Sequence, residues 1–261
     1  MTRRSALSSL AAPALLLADR QQTGKALLEE TLGALGGPEF LAMEDRTEQG
    51  RVYSFYRERL SGLTRAKIYT RYAASAVPGV LAARERQSYG KDKEEYAVLF
   101  EETQAFQVSE RGARPLLADV WERYQDTTLR NVFYILRQRR KETGLIIEYK
   151  ETGVLENQPV EIVDVTDTAN RVVTLYLHRT TKLPVRQVFY RRDNMKVRHE
   201  EITIFAKYRD VGNGVRWPFN IVRNRDGEKI FEIFSDQVTI NKKLDPKLFE
   251  LPADIVRLKA I

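Results

Sequence analysis

The chain has 261 residues, no cysteine, two histidines, and 43 Lys and Arg against 36 Asp and Glu, for a formal net charge of +7. The absence of thiols excludes disulfides, thiolate metal sites, cysteine nucleophiles and a lipidated N-terminal cysteine, and two histidines leave little for a zinc site or a Ser-His-Asp triad. A content of 43% hydrophobic and 30% charged residues is that of a folded chain, and no apolar run reaches the ~20 residues of a bilayer-spanning helix.

Met1-Thr2-Arg3-Arg4 is a positive n-region, Ser5 to Ala18 an Ala/Leu/Ser h-region, and Asp19-Arg20-Gln21-Gln22 a polar restart. This order predicts a signal peptide over residues 1–18, with residues 19–261 left as one exported, periplasmic domain. Thr2-Arg3-Arg4-Ser5-Ala6-Leu7 is similar to a twin-arginine signal, so both the Sec and the Tat route stay open. The competing reading is a short N-terminal helix packed on the domain.

Gln22 to Leu35 has helical spacing and stops at Gly36-Gly37-Pro38. From Phe40 the period becomes that of strands. Thr64 to Tyr72 alternates, with Ala66, Ile68, Thr70 and Tyr72 on one face and Arg65, Lys67, Tyr69 and Arg71 on the other, the pattern of an antiparallel strand with one wet face. Arg51 to Leu60 precedes it across an expected Ser61-Gly62 turn. Glu95 to Phe100 and Gln104 to Val108 read as further short strands, and Gly112-Ala113-Arg114-Pro115 as a turn.

Leu116 to Lys141 breaks the strand pattern. Leu117, Val120, Trp121, Tyr124, Leu129, Val132, Phe133 and Leu136 recur at three- and four-residue steps, which predicts one kinked helix or two helices with an apolar stripe. After Gly144 about seven strands follow: Leu145–Tyr149, Val160–Val165, Val172–Leu177, Val185–Arg191, Val197–Tyr208, Val215–Val222 and Lys229–Ile240. Asn213-Gly214 and Asp226-Gly227 are strong hairpin signals. The expected fold is α+β, mainly β: one strongly curved antiparallel sheet, a half-barrel, with helices covering its concave face. The insertion at about 116–141 is expected to be a lid, because a helix between two runs of strands must bury its stripe on that face.

Trp121, Tyr124, Phe133 and Leu136, with Ile68 and Tyr72 from the sheet, are therefore the candidate lining of an acyl-chain cavity; packing as ordinary core demands the same spacing. Arg137, Arg139 and Arg140 form a basic run suited to a headgroup at the rim, or a solvated helix end. No metal site, cofactor or catalytic residue is expected. His178 reads as a turn residue and His199 as one of a polar strand face. The adjacent pairs Glu101-Glu102 and Glu200-Glu201 point to opposite faces and cannot act together as acid and base. There is no nucleophile elbow, P-loop or dinucleotide fingerprint. Export speaks against nucleic acid as a partner.

Several segments resemble one family. Thr181-Lys182-Leu183-Pro184-Val185 is similar to a Thr-x-Leu-Pro turn between two strands, and Asp210 to Pro218 to a Gly-Val-x-x-Pro hairpin. Asn241 to Pro252, with Asp245 and Phe249, is similar to the closing segment, and Ala34-Leu35-Gly36-Gly37 to the exit of the first helix. The family is that of the periplasmic lipoprotein carriers (LolA-like), including the proteins named outer membrane lipoprotein-sorting protein, and the resemblance spans roughly residues 22–252. It implies an eleven-strand-class half-barrel, an apolar concave cavity under a helical lid, and a periplasmic handler of acyl chains. The first reading is therefore a non-enzymatic monomer that holds lipid or lipoprotein acyl chains, with a membrane surface or a periplasmic protein as partner. A periplasmic sensor or protein-interaction module on the same fold is the second reading, which an exposed edge strand or apolar patch would favour. An enzyme is the third, which would need convergent polar residues inside the cavity.

Overall fold

A computed structural model describes residues 11–73, 77, 79–91 and 93–260. The N-terminal ten residues of the expected signal peptide lie outside the described part. From Ala11 the chain is one helix, α1 (Ala11–Leu35), which runs through Ala18 and ends at Gly36-Gly37, before a single turn, α2 (Pro38–Leu41). Among the described residues no helix is long and apolar enough to cross a membrane.

Six strands follow: β1 (Asp45–Tyr56), β2 (Arg59–Tyr72), β3 (Ala83–Tyr89), β4 (Tyr96–Phe100), β5 (Ala105–Ser109) and β6 (Gly112–Pro115). The helical insertion comes next: α3 (Ala118–Leu129), α4 (Val132–Tyr134) and a π-helical turn over Ile135–Arg139. Seven strands complete the sheet: β7 (Ile146–Leu155), β8 (Gln158–Thr166), β9 (Val172–His178), β10 (Pro184–Arg192), β11 (Arg198–Asp210), β12 (Arg216–Arg225) and β13 (Glu228–Ile240). A 3₁₀ turn, Pro246–Phe249, lies in the C-terminal segment.

All thirteen strands form one sheet in the order β6-β5-β4-β3-β2-β1-β13-β12-β11-β10-β9-β8-β7. It is a single mainly-β sheet, antiparallel throughout and not closed on itself, two strands larger than the eleven the resemblance implied. The first and last strands meet at its centre, where Arg46 pairs with Ile240 and Ser54 with Phe231. The two edges are β6 and β7, and these are the strands that the helical insertion connects. The insertion therefore runs from one edge of the open sheet to the other, across its concave face.

Two local expectations are corrected, and one strand is added. The β1–β2 turn is Arg57-Glu58, not Ser61-Gly62: Tyr56 pairs with Arg59, and both turn residues take positive φ (48° and 61°), as a tight two-residue hairpin requires. The long alternation of two paired strands sets this register and overrides the glycine signal. Gly112–Pro115 is an edge strand rather than a turn, with Phe106 opposite Pro115. Proline is tolerated at a sheet edge because its missing N–H leaves no ladder bond unmade. β3 carries Glu85, Arg84 and Arg86 and shows no apolar alternation, which is why it escapes sequence reading.

The main core lies on the concave face of the β7–β13 half. Leu27, Leu28, Leu32 and Leu35 of α1, with Phe40 and Met43, meet Val132, Phe133 and Leu136 of the insertion over Leu175, Leu177, Phe205 and Trp217. Helix α1 comes so close to β7 that a Cβ on Gly24 would lie 2.9 Å from the Tyr149 amide nitrogen. On the opposite face of the other half, Leu99, Phe106, Val108 and Ala113 are covered by Leu251 and Ile255 of the C-terminal segment. That segment also shields edge β6, where the Ala113 amide donates to the Val256 carbonyl at 2.8 Å.

Candidate functional site

Between the insertion and the sheet is a cavity of about 350 Å³, within the size range of small-molecule sites. Strand alternation selects its walls. From β2 come Ile68, Thr70 and Tyr72; from β3 Glu85, Gln87 and Tyr89; from β12 Trp217, Ile221, Arg223 and Arg225. Tyr124 of α3 and Phe133 of α4 close it from above. Phe133 packs edge-on against Phe205 at 5.0 Å and tilted on Trp217 at 4.6 Å, and Tyr124 stacks on Phe100 of β4. Burial pushes the Tyr124 phenol well above its ordinary range, so it stays neutral.

The insertion is tied to both halves of the sheet. The fully buried Gln187 side chain of β10 accepts a hydrogen bond from the Val132 amide at 2.9 Å. The Asn131 side chain caps α4 by accepting from Phe133 N at 3.0 Å. On the other side the Tyr134 hydroxyl accepts from the Ala82 amide at 2.7 Å, and Gln138 Nε2 donates to the carbonyls of Ala73 and Ala82.

Of the six residues read from sequence as cavity lining, Tyr124, Phe133, Ile68 and Tyr72 line it, and Trp121 and Leu136 do not. Trp121 lies near the start of α3, where its Nε1 donates to the Glu101 carbonyl at 2.8 Å and fastens the helix to the β4–β5 loop. Leu136 belongs to the π-helical turn, past the break at Arg130-Asn131. It has lost the phase of α3 and is fully buried in the main core.

The three arginines read as a rim are elsewhere. Arg139 is a buried clamp at 4% exposure. It donates to the Leu129 carbonyl at 2.6 Å, to both oxygens of Glu142, and to Asp167 Oδ2 at 3.1 Å. Burial works against the Asp167 charge, but the Arg171 amide and the Arg139 and Arg171 guanidiniums outweigh it and hold the carboxyl below its ordinary range. Arg137 stacks over Tyr72 at 4.3 Å and donates from Nε to the Met43 carbonyl. Arg140 pairs with Glu29 of α1 at 2.7 Å. A basic run at a helix end is thus spent on holding the insertion to its surroundings.

The lining is not uniformly apolar, contrary to what the resemblance implied. Arg46 of β1 pairs with Glu48, donates to Thr70 Oγ1 at 3.0 Å and covers the Trp217 ring at 4.1 Å. Glu48 also accepts from Ser235 of β13. The Tyr89 hydroxyl donates to Gln87 Oε1 at 2.7 Å, Gln87 donates to Glu85, and Thr70 reaches the same carboxyl. Burial is the largest influence on Glu85 and raises its pKa, against the opposing effects of Gln87, Arg46, Arg223 and Thr70. Sequence reading misses this chain because Arg46 and Glu48 precede the alternation that marks β1, and β3 has no apolar alternation to mark it as a strand. Only the pairing of β1 with both β2 and β13 turns them inward.

The histidines fall outside the cavity. His178 Nδ1 accepts from the amides of Thr180 and Thr181 in a turn. His199 joins two hairpin tips, Nδ1 facing Asp226 at 2.7 Å and Nε2 facing Asp193 at 3.1 Å.

No family model matches the chain, and no curated protein matches it. Solved structures do match in fold. A domain from Vibrio parahaemolyticus named for outer membrane lipoprotein sorting aligns over 85% of this chain and 97% of its own, with a TM-score of 0.54 and 10% identity. A DUF1329 family protein from Desulfovibrio piger aligns over 88% and 97%, with a TM-score of 0.58 and 10% identity. A LolA superfamily protein from Nitrosomonas europaea aligns over 87% and 97%, with a TM-score of 0.54 and 9% identity. The chain has the LolA-like fold, an open antiparallel half-barrel, along nearly the whole length of these structures.

Proposed function

We propose that the protein is an exported, periplasmic, non-enzymatic and monomeric carrier that holds an acyl chain of a lipid or lipoprotein in the concave cavity. The observation that carries this reading is the cavity itself, lying between the insertion and the sheet with Ile68, Phe133, Phe189, Phe205, Ile221 and Ile233 on its walls. Each methylene removed from water is worth about 0.8 kcal/mol, so eight would supply about 6 kcal/mol before the cost of immobilising the ligand. That suffices for reversible binding without base, acid or metal. The likeness in fold to a domain named for lipoprotein sorting supports outer-membrane lipoprotein sorting as the setting.

Mass spectrometry of an organic extract of the purified protein, with titration of a fluorescent fatty acid, tests the proposal. Saturable binding is expected, weakened tenfold or more by Ile221→Trp, which fills the cavity, and unchanged by Trp121→Ala. Absence of saturable binding to the extracted, refolded protein overturns it. Export has its own test: the periplasmic protein should begin between Leu15 and Gln22, and replacing Arg3 and Arg4 by Lys should stall a Tat substrate and spare a Sec substrate. An intact Met1 in the cytoplasmic fraction overturns export. A protein-interaction module is favoured by one observation, the exposure of Tyr56, Leu60 and Leu63 together around the β1–β2 hairpin, and replacing them with serine would then abolish partner capture while sparing fatty-acid binding.

A further inference from the structure

One end of the cavity is built from arginines on facing elements. Arg123 projects from α3, and Arg223 and Arg225 from the inward-facing positions of β12; all three line the cavity. Arg191 of β10 stands behind them. Glu201 of β11 lies opposite Arg225 in the ladder and takes Arg225 at 2.9 Å and Arg191 at 3.4 Å. These two guanidiniums are thereby neutralised in part and held in place. Arg123 and Arg223 have no hydrogen bond or ion pair of their own among the described residues. Arg223 lies over the Phe231 ring at 5.4 Å, and Arg123, solvent-accessible along its length, is partly desolvated where it lines the cavity. Besides Glu201, the carboxylates that face this group are Asp119 on α3 and Glu85 on β3. Burial of Arg123 and the nearby charges of Arg225 and Arg191 depress its pKa, with Asp119 and Glu201 opposing. Four guanidiniums thus face three carboxylates, of which burial favours the neutral form of one, Glu85.

We propose that this end of the cavity is an anion site, in which Arg123 from the insertion and Arg223 from the sheet grip the phosphate-type headgroup of an amphiphile whose chain runs inward toward Phe133 and Phe205. The inference rests on the acyl-chain reading and specifies its ligand as an anionic one. The backing triad Arg191–Glu201–Arg225 fixes the wall, and the two free guanidiniums, on facing elements, supply charge-assisted bonds to separate oxygens of the headgroup. The arginine run of the insertion, Arg137 to Arg140, is already committed to Met43, Glu142, Asp167 and Glu29 and is not required.

Dodecyl phosphate, dodecanol and inorganic phosphate, titrated calorimetrically into the full chain, test it. Dodecyl phosphate should bind at least about tenfold more tightly than dodecanol, and 0.5 M salt should narrow the gap by screening. The R123Q/R223Q variant should close the gap, and Arg140→Gln, outside the cavity, should leave it intact. Equal binding of the two chain ligands by the wild type, or a gap that survives in R123Q/R223Q, overturns the anion site and leaves the acyl-chain reading standing. If inorganic phosphate binds in a way that R123Q/R223Q abolishes while neither chain ligand binds, the anion site stands and the acyl-chain reading falls. If none of the three binds, both fall.

Discussion

At the residue scale, the arginines show how little a charge run says about exposure. Arg139 sits among Glu142, Asp167 and the Leu129 carbonyl, and removing one partner of such a buried cluster strands the other charges. Arg139→Ala is expected to cost about 3–5 kcal/mol of folding free energy in a urea melt. Arg139→Lys should recover only part of the loss, since an ammonium cannot reproduce the guanidinium fork. A loss below about 1 kcal/mol would show that the clamp is dispensable. Glu85 has the opposite sign. Burial raises its pKa, so its neutral form suits the fold below the ordinary glutamate range, and stability is lost as the pH rises through the raised value. Glu85→Gln, which keeps the hydrogen-bonding shape, should raise the melting temperature at neutral pH and leave it unchanged near pH 4. A variant destabilised at neutral pH would mean that the Glu85 charge is needed against Arg46.

At the scale of elements, the insertion is one unit in the sequence and two in the structure. The stripe from Leu117 to Leu136 has a single spacing, yet the chain breaks at Arg130-Asn131 and resumes as one α-turn and one π-turn. The break turns Phe133 toward the cavity and Leu136 into the core. Hairpins show a related coupling. The tips of β10–β11 and β12–β13 are joined through His199, whose pKa is raised first by Asp226 and then by Asp193, while both aspartates are lowered by the same contacts. Since the folded histidine holds its proton more tightly, the pin contributes below the ordinary histidine range and is lost as the pH rises through the raised value. An NMR titration should place the imidazole above the ordinary histidine value, and Asp226→Asn should bring it down. An unshifted imidazole in the wild type would remove the pin.

At the scale of the molecule, the sheet closes its own sequence: β1 and β13 meet in the middle, and the two free edges are the ends that the insertion joins. A sheet with this order should exchange amide protons slowest along β1 and β13, and fastest at Glu151–Leu155 of β7, past the register shift after Tyr149. Fast exchange along the β1–β13 ladder would instead reveal two halves that open separately.

The alternation of Thr64–Tyr72 and of the seven strands after Gly144, together with the Asn213-Gly214 and Asp226-Gly227 signals, was enough for the sequence by itself to determine a large antiparallel sheet interrupted by one helical insertion. Period and turn chemistry are local properties, written in each segment. The sequence alone also made Tyr124, Phe133, Ile68 and Tyr72 candidate lining, because apolar spacing marks a buried face. It could not determine which buried face. Trp121 and Leu136 share that spacing and end in other places, since the phase of the helix is reset by a break that Gln187, more than fifty residues away, helps to hold. Nor could it turn Arg46, Glu48, Glu85 and Arg223 inward. Arg46 and Glu48 precede the strand read from Arg51, Glu85 lies on a strand without apolar alternation, and Arg223 follows the strand read to Val222, so none of them carried a face in the sequence; only the closing of β1 onto β13 and the crossing of the insertion over the concave side place those charges around a cavity. The pairing of distant strands is a property of the whole chain, and it decided where the polar groups of this protein point.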